Sequence, residues 1–196
     1  MALKFQYNKT TIQSLKKQLA IRQKALPILK NKETALRIAI KERQRALVSA
    51  TRERENLLQE VVKHAGFWTE MPKVFFIESV SVTTETIIGV KVPKTQDIQF
   101  RLADFSWWNY PAWVPAGLEF LKEAIKLDFK IDILEKQLTL LDDARKKTTQ
   151  KVNLYEKVQI PEMEQATIKI KRFLEDKENI SKAGQKIIKN RKMQEA

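Results

Sequence analysis

Several residue types and sequence features are scarce or missing in this chain of 196 residues. There is no cysteine, which excludes disulfide bonds and thiolate metal sites and fits a reducing compartment. No apolar run approaches the roughly 18 residues that a membrane-spanning helix needs. The start of the chain, MALKFQYNKTT, lacks the apolar stretch of a signal peptide. We therefore expect a soluble, cytoplasmic protein.

The residue patterns that mark catalytic or nucleotide-binding sites are also missing. The single histidine, His64, has no potential metal ligand at a suitable spacing, and GxxxxGK[ST], GxGxxG and GxSxG do not occur. Carboxylate pairs such as Asp142-Asp143 and Glu175-Asp176 stand among lysines, as is typical of solvated helix faces. We therefore expect a protein that is not an enzyme and that binds no cofactor or metal.

Positive charge is abundant but unevenly distributed. Lys and Arg number 37 against 24 Asp and Glu, a formal net charge of +13. Residues 1–65 carry 15 basic and 5 acidic groups (net +10), residues 66–117 carry 4 and 5 (net −1), and residues 118–196 carry 18 and 14 (net +4). Such an excess suggests an acidic or phosphate-bearing partner, or an electronegative cavity.

The first 65 residues have the apolar spacing of a coiled coil. A spacing of alternating three and four residues falls on fifteen positions, of which eleven are apolar. These seam positions are Ile12, Leu15, Leu19, Arg22, Leu26, Leu29, Glu33, Leu36, Ile40, Arg43, Leu47, Ala50, Arg54, Leu57 and Val61. A helix of this length would span roughly 80 Å at about 1.5 Å per residue. We therefore expect an equally long helix to pack against it.

Four of the seam positions are charged, namely Arg22, Glu33, Arg43 and Arg54. Charged side chains in a buried seam cost stability unless they are paired. In one interpretation these residues pair across the two helices and fix their register. In the other, a third component covers the seam where they occur. The sequence leaves both interpretations open.

The second long helix lies in the same chain, from Leu118 to about Lys192, where the apolar pattern returns. Its apolar positions are Leu127, Ile131, Leu134, Leu138, Leu141, Val152, Tyr155, Ile160, Met163, Ile170, Phe173 and Leu174. Arg145 and Thr148 interrupt the stripe, and its phase shifts around Pro161. The predicted fold is therefore mainly α, a long antiparallel two-helix coiled coil formed by the N- and C-terminal helices.

The middle of the chain differs from both helices. Residues 66–117 hold four of the six prolines, three of the four glycines and all four tryptophans. Two β-branched stretches, residues 74–82 and 86–92, predict a β-hairpin that turns at Thr83-Thr84-Glu85, and residues 97–102 are a third candidate strand. We expect a coiled-coil helix over residues 1–65, a β-hairpin and aromatic cap over 66–117 at the far end of the helices, and a coiled-coil helix over 118–196.

Two helical segments carry residues in a pattern known from one family. LKKQLAIRQKALPILKNKETAL (15–36) and KVNLYEKVQIPEMEQATIKI (151–170) resemble the D subunit of V-type and A-type ATPases, the central-stalk rotor axle. Ala25 stands where that family usually has glycine, and Pro27 where it has ordinary helix formers. The matching shaft positions include Leu15, Leu19, Leu29, Lys30, Lys32, Leu36, Asn153, Glu156, Val158, Ile160 and Pro161.

The resemblance implies a rotor shaft that transmits torque between ATP hydrolysis or synthesis and ion translocation. Its partners would be the A and B subunits of the catalytic hexamer, the F subunit on the shaft, and the connector of the membrane rotor ring. It implies no nucleic acid, no membrane insertion, and a cytoplasmic location at the membrane periphery through the complex. Expected ring-interior contacts are Lys4, Lys9, Lys186, Lys189, Arg191 and Lys192, and the expected cap interface is Trp107, Trp108 and Trp113.

Pro161 has two interpretations. A proline inside a helix removes an amide donor and costs about 3 kcal/mol, which favours a boundary between two helices. The resemblance instead implies that this proline belongs inside the shaft helix, and we predict a continuous but bent helix there.

The residues also permit a function of another class, a free-standing basic coiled-coil tether or a nucleic-acid-binding protein. Lys and Arg along a helix can neutralise phosphates, and the tryptophan cluster could stack bases.

Overall fold

The computed structural model describes residues 5–63, 65–69, 71, 75–103 and 110–194, apart from the side chains of Ala65, Phe67, Gln96 and Lys192. The described fold is mainly α, with one two-stranded antiparallel sheet. Among the described residues, no helix is both long and apolar enough to cross a membrane. The elements are α1 (Lys9–Lys63), α2 (Ala65–Thr69), β1 (Phe75–Ile87), β2 (Val90–Leu102), α3 (Val114–Asn153), a π-helical segment (Leu154–Gln159) and α4 (Ile160–Gln194).

The chain divides into two compact units. The first unit contains Met1–Lys32 and Lys147–Ala196, and the second contains Glu33–Lys146. Each unit includes part of α1 and part of the C-terminal helical region, and the β-hairpin belongs to the second.

In the first unit, the N-terminal part of α1 packs antiparallel against α4. The Asn8 side chain caps α1, because its Oδ1 accepts a hydrogen bond of 2.6 Å from the Thr11 N–H. The core of the unit is a buried cluster of apolar residues from both helices, with further half-buried side chains packed on it. Its members are Leu15, Met163, Ala166 and Ile170, with Phe5, Ile12, Leu19 and Leu174 around them.

In the second unit, the rest of α1 packs antiparallel against α3, and the hairpin lies along both helices. Three apolar clusters follow one another along this unit. They are Ala50, Ile131 and Leu134; Leu36, Val92 and Leu141; and Val114 with Leu118. Because Val92 lies near the hairpin turn and packs on Leu36 and Leu141, the hairpin does more than cover the end of the helices.

The predicted seam of α1 is confirmed. None of its fifteen positions is exposed in the structure, whereas most of the intervening residues are. On the second stripe, Ile131, Leu134, Leu141, Val152, Met163 and Ile170 are all buried. Thr148, one of the polar residues that interrupt the apolar stripe, is also buried, with only 7% of its surface exposed.

The charged seam residues behave in three different ways. Arg22 donates a 2.6 Å hydrogen bond from Nε to Gln159 Oε1, and Arg54 lies 3.5 Å from Asp128, so both pair across two helices. Glu33 pairs with Arg37 one turn along the same helix. Arg43 has no hydrogen bond or ion pair with any residue that the structure describes. Pairing across the helices is therefore confirmed for Arg22 and Arg54.

The β-hairpin exists, but the predicted position of its turn is wrong. The turn is Ile88-Gly89, with φ values of 51° and 75°. Two positive φ angles match the right-handed twist of the strands, and glycine adopts such an angle without steric cost. Thr83-Thr84-Glu85 lies within β1, where β-branched threonines suit an extended backbone. The candidate third strand, residues 97–102, is the second half of β2.

Pro161 is the second residue of α4, separated from the π-helical segment by Ile160, and the helical backbone continues through it. The Ile160 N–H donates to the Tyr155 carbonyl, five residues back, instead of to the carbonyl four residues back. The wider turn takes up one extra residue, which explains the phase shift of the apolar stripe. The prediction of a continuous helix is confirmed, while the bend stays a prediction. Pro27 likewise lies inside α1.

Candidate interaction surfaces

The C-terminal part of α4 presents an apolar stripe that no described residue covers. Within residues 175–194, every residue whose exposure the structure describes is exposed except Gly184, which is half-buried. Ile180 is 73% exposed and Met193 71% exposed, with Ile187 and Ile188 also largely exposed. Ile180 and Ile187 continue the three-and-four-residue spacing of Met163, Ala166 and Ile170, which are buried. Exposed apolar side chains at seam spacing indicate an interaction surface.

The same region carries most of the basic residues predicted to contact a ring. Lys186, Lys189 and Arg191 are exposed on α4, and Lys9 is exposed at the start of α1. Lys4 and the side chain of Lys192 lie outside the described residues. Upstream on α4, the Lys182 ammonium hydrogen-bonds to Glu178 and lowers the pKa of that carboxyl. The tail therefore combines exposed apolar side chains with exposed cations.

The two family-like segments meet in the first unit. Lys30 and Glu156 form an ion pair of 2.7 Å, and the Arg22 guanidinium lies 5.9 Å from the centre of the Tyr155 ring. The π-helical segment thus supplies Tyr155, Glu156 and the hydrogen-bond acceptor on Gln159. Beyond the presence of Lys30 and Glu156 in the two motifs, no pattern in the sequence predicted these pairs.

The other shaft positions that match the family pattern are partly buried in the helix packing and partly exposed. Leu15 and Leu36 are buried in their clusters, and Asn153 and Val158 are exposed. The half-buried positions are Leu19, Leu29, Lys32, Ile160 and Pro161.

An aromatic cavity lies in the second unit between α1, α2 and α3. Trp68 and Phe120 have ring centroids 5.5 Å apart, and both line a cavity of about 340 Å³. The other residues of the lining are Glu60, Val61, Trp113, Ala116 and Gly117. A Cβ atom on Gly117 would come within 3.2 Å of the Trp113 ring, so glycine allows this close approach. Of the predicted cap interface, Trp113 is therefore in a packed aromatic site. Trp107 and Trp108 lie outside the described residues.

The pKa shifts on α3 keep the side chains of an ion-pair cluster in their charged forms. On α3, hydrogen bonds from Lys146 and Arg145 lower the pKa of Asp142, and Asp142 raises the pKa of Lys146. Such shifts strengthen fixed charges and are not the raised carboxyl pKa of a general acid. Among the described residues, no group of three or more His, Cys, Asp or Glu side chains could hold a metal ion.

Comparison with known proteins gives one family. The family described as the D subunit of ATP synthase matches residues 11–190. The V-type ATP synthase D subunit of Borreliella burgdorferi is 28% identical over 190 residues, which cover 95% of this chain and 94% of that protein. The proteins of the same name from Chlamydia pneumoniae and Chlamydia muridarum are 25% and 24% identical, covering 94% and 100% of this chain and 91% and 98% of those proteins. The chain belongs to the D-subunit family of ATP synthases.

Proposed function

We propose that this chain is the central rotor shaft of a V/A-type ATPase and transmits torque between the A/B hexamer and the membrane rotor ring. The observation that carries the proposal is the family match over residues 11–190, which includes both long helical regions. In this role the chain is a non-catalytic component of the complex. ATP is bound and hydrolysed, or made, by the A and B subunits.

The mechanism is mechanical and depends on an asymmetric pair of stiff helices. A shaft that presents different side chains to successive A/B pairs can bias each pair toward a different conformation only through differential contacts. Cross-helix pairs such as Lys30–Glu156 and Arg22–Gln159 resist sliding of α1 against the π-helical segment and α4. Fixed register keeps those different faces at constant positions along the shaft.

The chain termini would lie inside the A/B ring. The exposed Ile180 and Ile187, together with exposed Met193, offer apolar contact, and the neighbouring lysines and arginine suit electronegative ring loops. In this proposal the ring-interior contacts are Lys4, Lys9, Lys186, Lys189, Arg191 and Lys192.

The other partners would bind outside the terminal regions of the chain. The F subunit would bind the shaft, and the cap with Trp107, Trp108 and Trp113 would meet the connector of the membrane ring. The protein would then be cytoplasmic and peripheral to the membrane through the complex.

Co-purification separates this function from that of a free-standing tether or nucleic-acid binder. An affinity-tagged copy of the chain should recover the A, B and F subunits in fixed proportion. Recovery of the chain alone, or with nucleic acid in place of those subunits, would contradict the rotor proposal.

Removal of the C-terminal tail tests the ring contacts. Deleting residues 186–196 should lower ATP-driven ion pumping by at least about tenfold, because the shaft loses both apolar and charged contacts with the ring. The helix pair should stay folded, since the core cluster of the first unit ends at Leu174. Pumping by vesicles that contain the reconstituted complex is the measurement.

A matched control removes charge from another exposed face of the shaft. Changing Lys41, Arg45 and Arg52 to Gln removes three exposed cations, against four basic residues in the deletion, and leaves the tail intact. Unchanged pumping after the tail deletion, or an equal loss in the control, would contradict the assignment of the tail to the ring.

A further inference from the structure

A groove with several cations runs between the hairpin and the two long helices of the second unit. Its volume is about 530 Å³. Arg43 of α1, Lys94 of β2, and Lys126 and Lys130 of α3 line it, against one carboxylate, Asp97. No helix alone creates this charge, because the four cations come from three different elements.

Two of the four cations, Arg43 and Lys126, form no ion pair with the described residues, whereas the other two lie near a carboxylate. Lys94 and Lys130 lie 3.7 and 3.9 Å from Glu85 and Glu53, at the outer limit of an ion pair. Arg43 has no hydrogen bond or ion pair with the described residues, although it occupies a half-buried seam position. Lys126 makes only a contact of 6.0 Å with the centre of the Phe100 ring. Arg43 and Lys126 are therefore available to an anion.

The remaining lining restricts what kind of anion fits. Ala46, Ile98 and Leu134 form apolar parts of the groove, and Ile98 is only 8% exposed. A small inorganic anion gains nothing from contact with these side chains. An occupant that carries both an acidic and an apolar side chain uses the whole groove.

A buried amide also lines the groove. Gln137 is 4% exposed, and its Nε2 donates a 2.6 Å hydrogen bond to the Pro93 carbonyl. That bond fixes the orientation of the amide, because a reversed amide would place two acceptor oxygens together. Its Oε1 is buried and accepts no hydrogen bond from the described residues. Because this oxygen has almost no accessible surface, it does not itself bind an occupant, and the mixed charged and apolar lining carries the choice of a peptide.

We propose that this groove is the docking site of an acidic segment from a partner protein, whose carboxylate pairs with Arg43 and Lys126. The proposal rests on the proposed function, since the partner is taken to be another component of the ATPase complex. It assigns Arg43 to the second interpretation of the charged seam, in which a further component covers it. Arg43 would then be a recognition residue that the two-helix packing alone leaves without a role.

Site-specific photo-crosslinking in the purified complex tests this proposal. Thr95 lines the groove without contributing charge, so it is replaced by the photoreactive residue p-benzoylphenylalanine. We expect a cross-link to one other protein of the complex, at a peptide in which Asp or Glu stands beside apolar residues. The same replacement at Thr139, in a neighbouring groove with Asp132 and Glu135, is the control and should give no such product.

Charge reversal shows whether the cations hold the segment. Arg43→Glu with Lys126→Glu should lower the cross-link yield from Thr95 by at least about tenfold, because opposite charges become like charges. Lys136→Glu, outside the groove, should leave the yield unchanged. The milder pair Arg43→Gln and Lys126→Gln should also lower the yield, which separates recognition from any folding defect of the reversed pair.

Three results would overturn the proposal. They are the absence of a cross-link from Thr95 in a complex that contains the chain, a cross-linked peptide without acidic residues, and a yield insensitive to both pairs of substitutions. Titration of the isolated chain with inorganic phosphate tests whether the groove binds a small anion instead. Saturable shifts of the Gln137 side-chain amide signals at submillimolar phosphate would make the groove a small-anion site instead. Co-purification of A, B and F reports separately on the rotor function.

Discussion

Replacing Leu141 with Ala should lower the free energy of unfolding by about 3–5 kcal/mol, the largest stability loss that we expect from one substitution. Leu141 is 0% exposed and lies with Leu36 and Val92 where α1, α3 and the hairpin meet. Its truncation removes apolar contacts and leaves a cavity that three packed elements cannot easily close. Urea denaturation of the purified chain, followed by circular dichroism, measures the change.

The neighbouring residue provides the control. Leu140 has the same side chain but is 41% exposed, so Leu140→Ala should cost less than about 1 kcal/mol. Equal losses for the two variants would show that Leu141 is not in a core formed by the hairpin and both helices.

Introducing a second proline in the interior of α4 should change the free energy of unfolding far more than removing Pro161. Lys169→Pro should lower the free energy of unfolding by about 3 kcal/mol or more, because it removes an amide donor and introduces a ring clash inside α4. Pro161→Ala should change it by less than about 1 kcal/mol, since the π-helical turn already accommodates the missing donor. Chemical denaturation of both variants is the measurement.

Lys169→Ala separates the effect of the proline ring from loss of the lysine. Lys169 is exposed, so this control should be close to the unchanged protein. If Pro161→Ala stabilised the chain by about 3 kcal/mol, the full cost of an interior proline, the native proline would be strained and our account of the π-helical segment would be wrong.

The long helices could be predicted from the sequence because their packing repeats. Each seam residue of α1 meets the same kind of environment every three or four positions, so apolar spacing alone identifies the buried face. Positions such as Leu36 and Leu141 needed no knowledge of their partners to be assigned to the core. The resemblance in residues 15–36 and 151–170 then indicated the family.

The hairpin turn and the groove depend on information that a linear pattern lacks. Thr83-Thr84-Glu85 interrupts two apolar stretches, but Thr also suits a strand, and Ile88 beside Gly89 lacks the Asn or Asp usual in such a turn. The turn position decides where β2 lies on the helices. This placement of β2 puts Lys94 in the same groove as Arg43 and Lys126, which are distant from it in sequence.

The π-helical segment could not be predicted for a related reason. The apolar stripe shows a change of phase near Pro161, but a kink, a helix boundary or one extra residue in a wider turn would produce the same change. The hydrogen bond from the Ile160 N–H to the Tyr155 carbonyl distinguishes the last of these.

Direct observation of rotation tests the central claim that this chain is a rotor shaft. The chain has no cysteine, so Thr84→Cys on the exposed part of the hairpin provides a single attachment point for a bead. With the A/B hexamer fixed to a surface, addition of ATP should make the bead turn continuously in one direction. A stationary bead on a complex that contains the labelled chain and hydrolyses ATP would contradict the account.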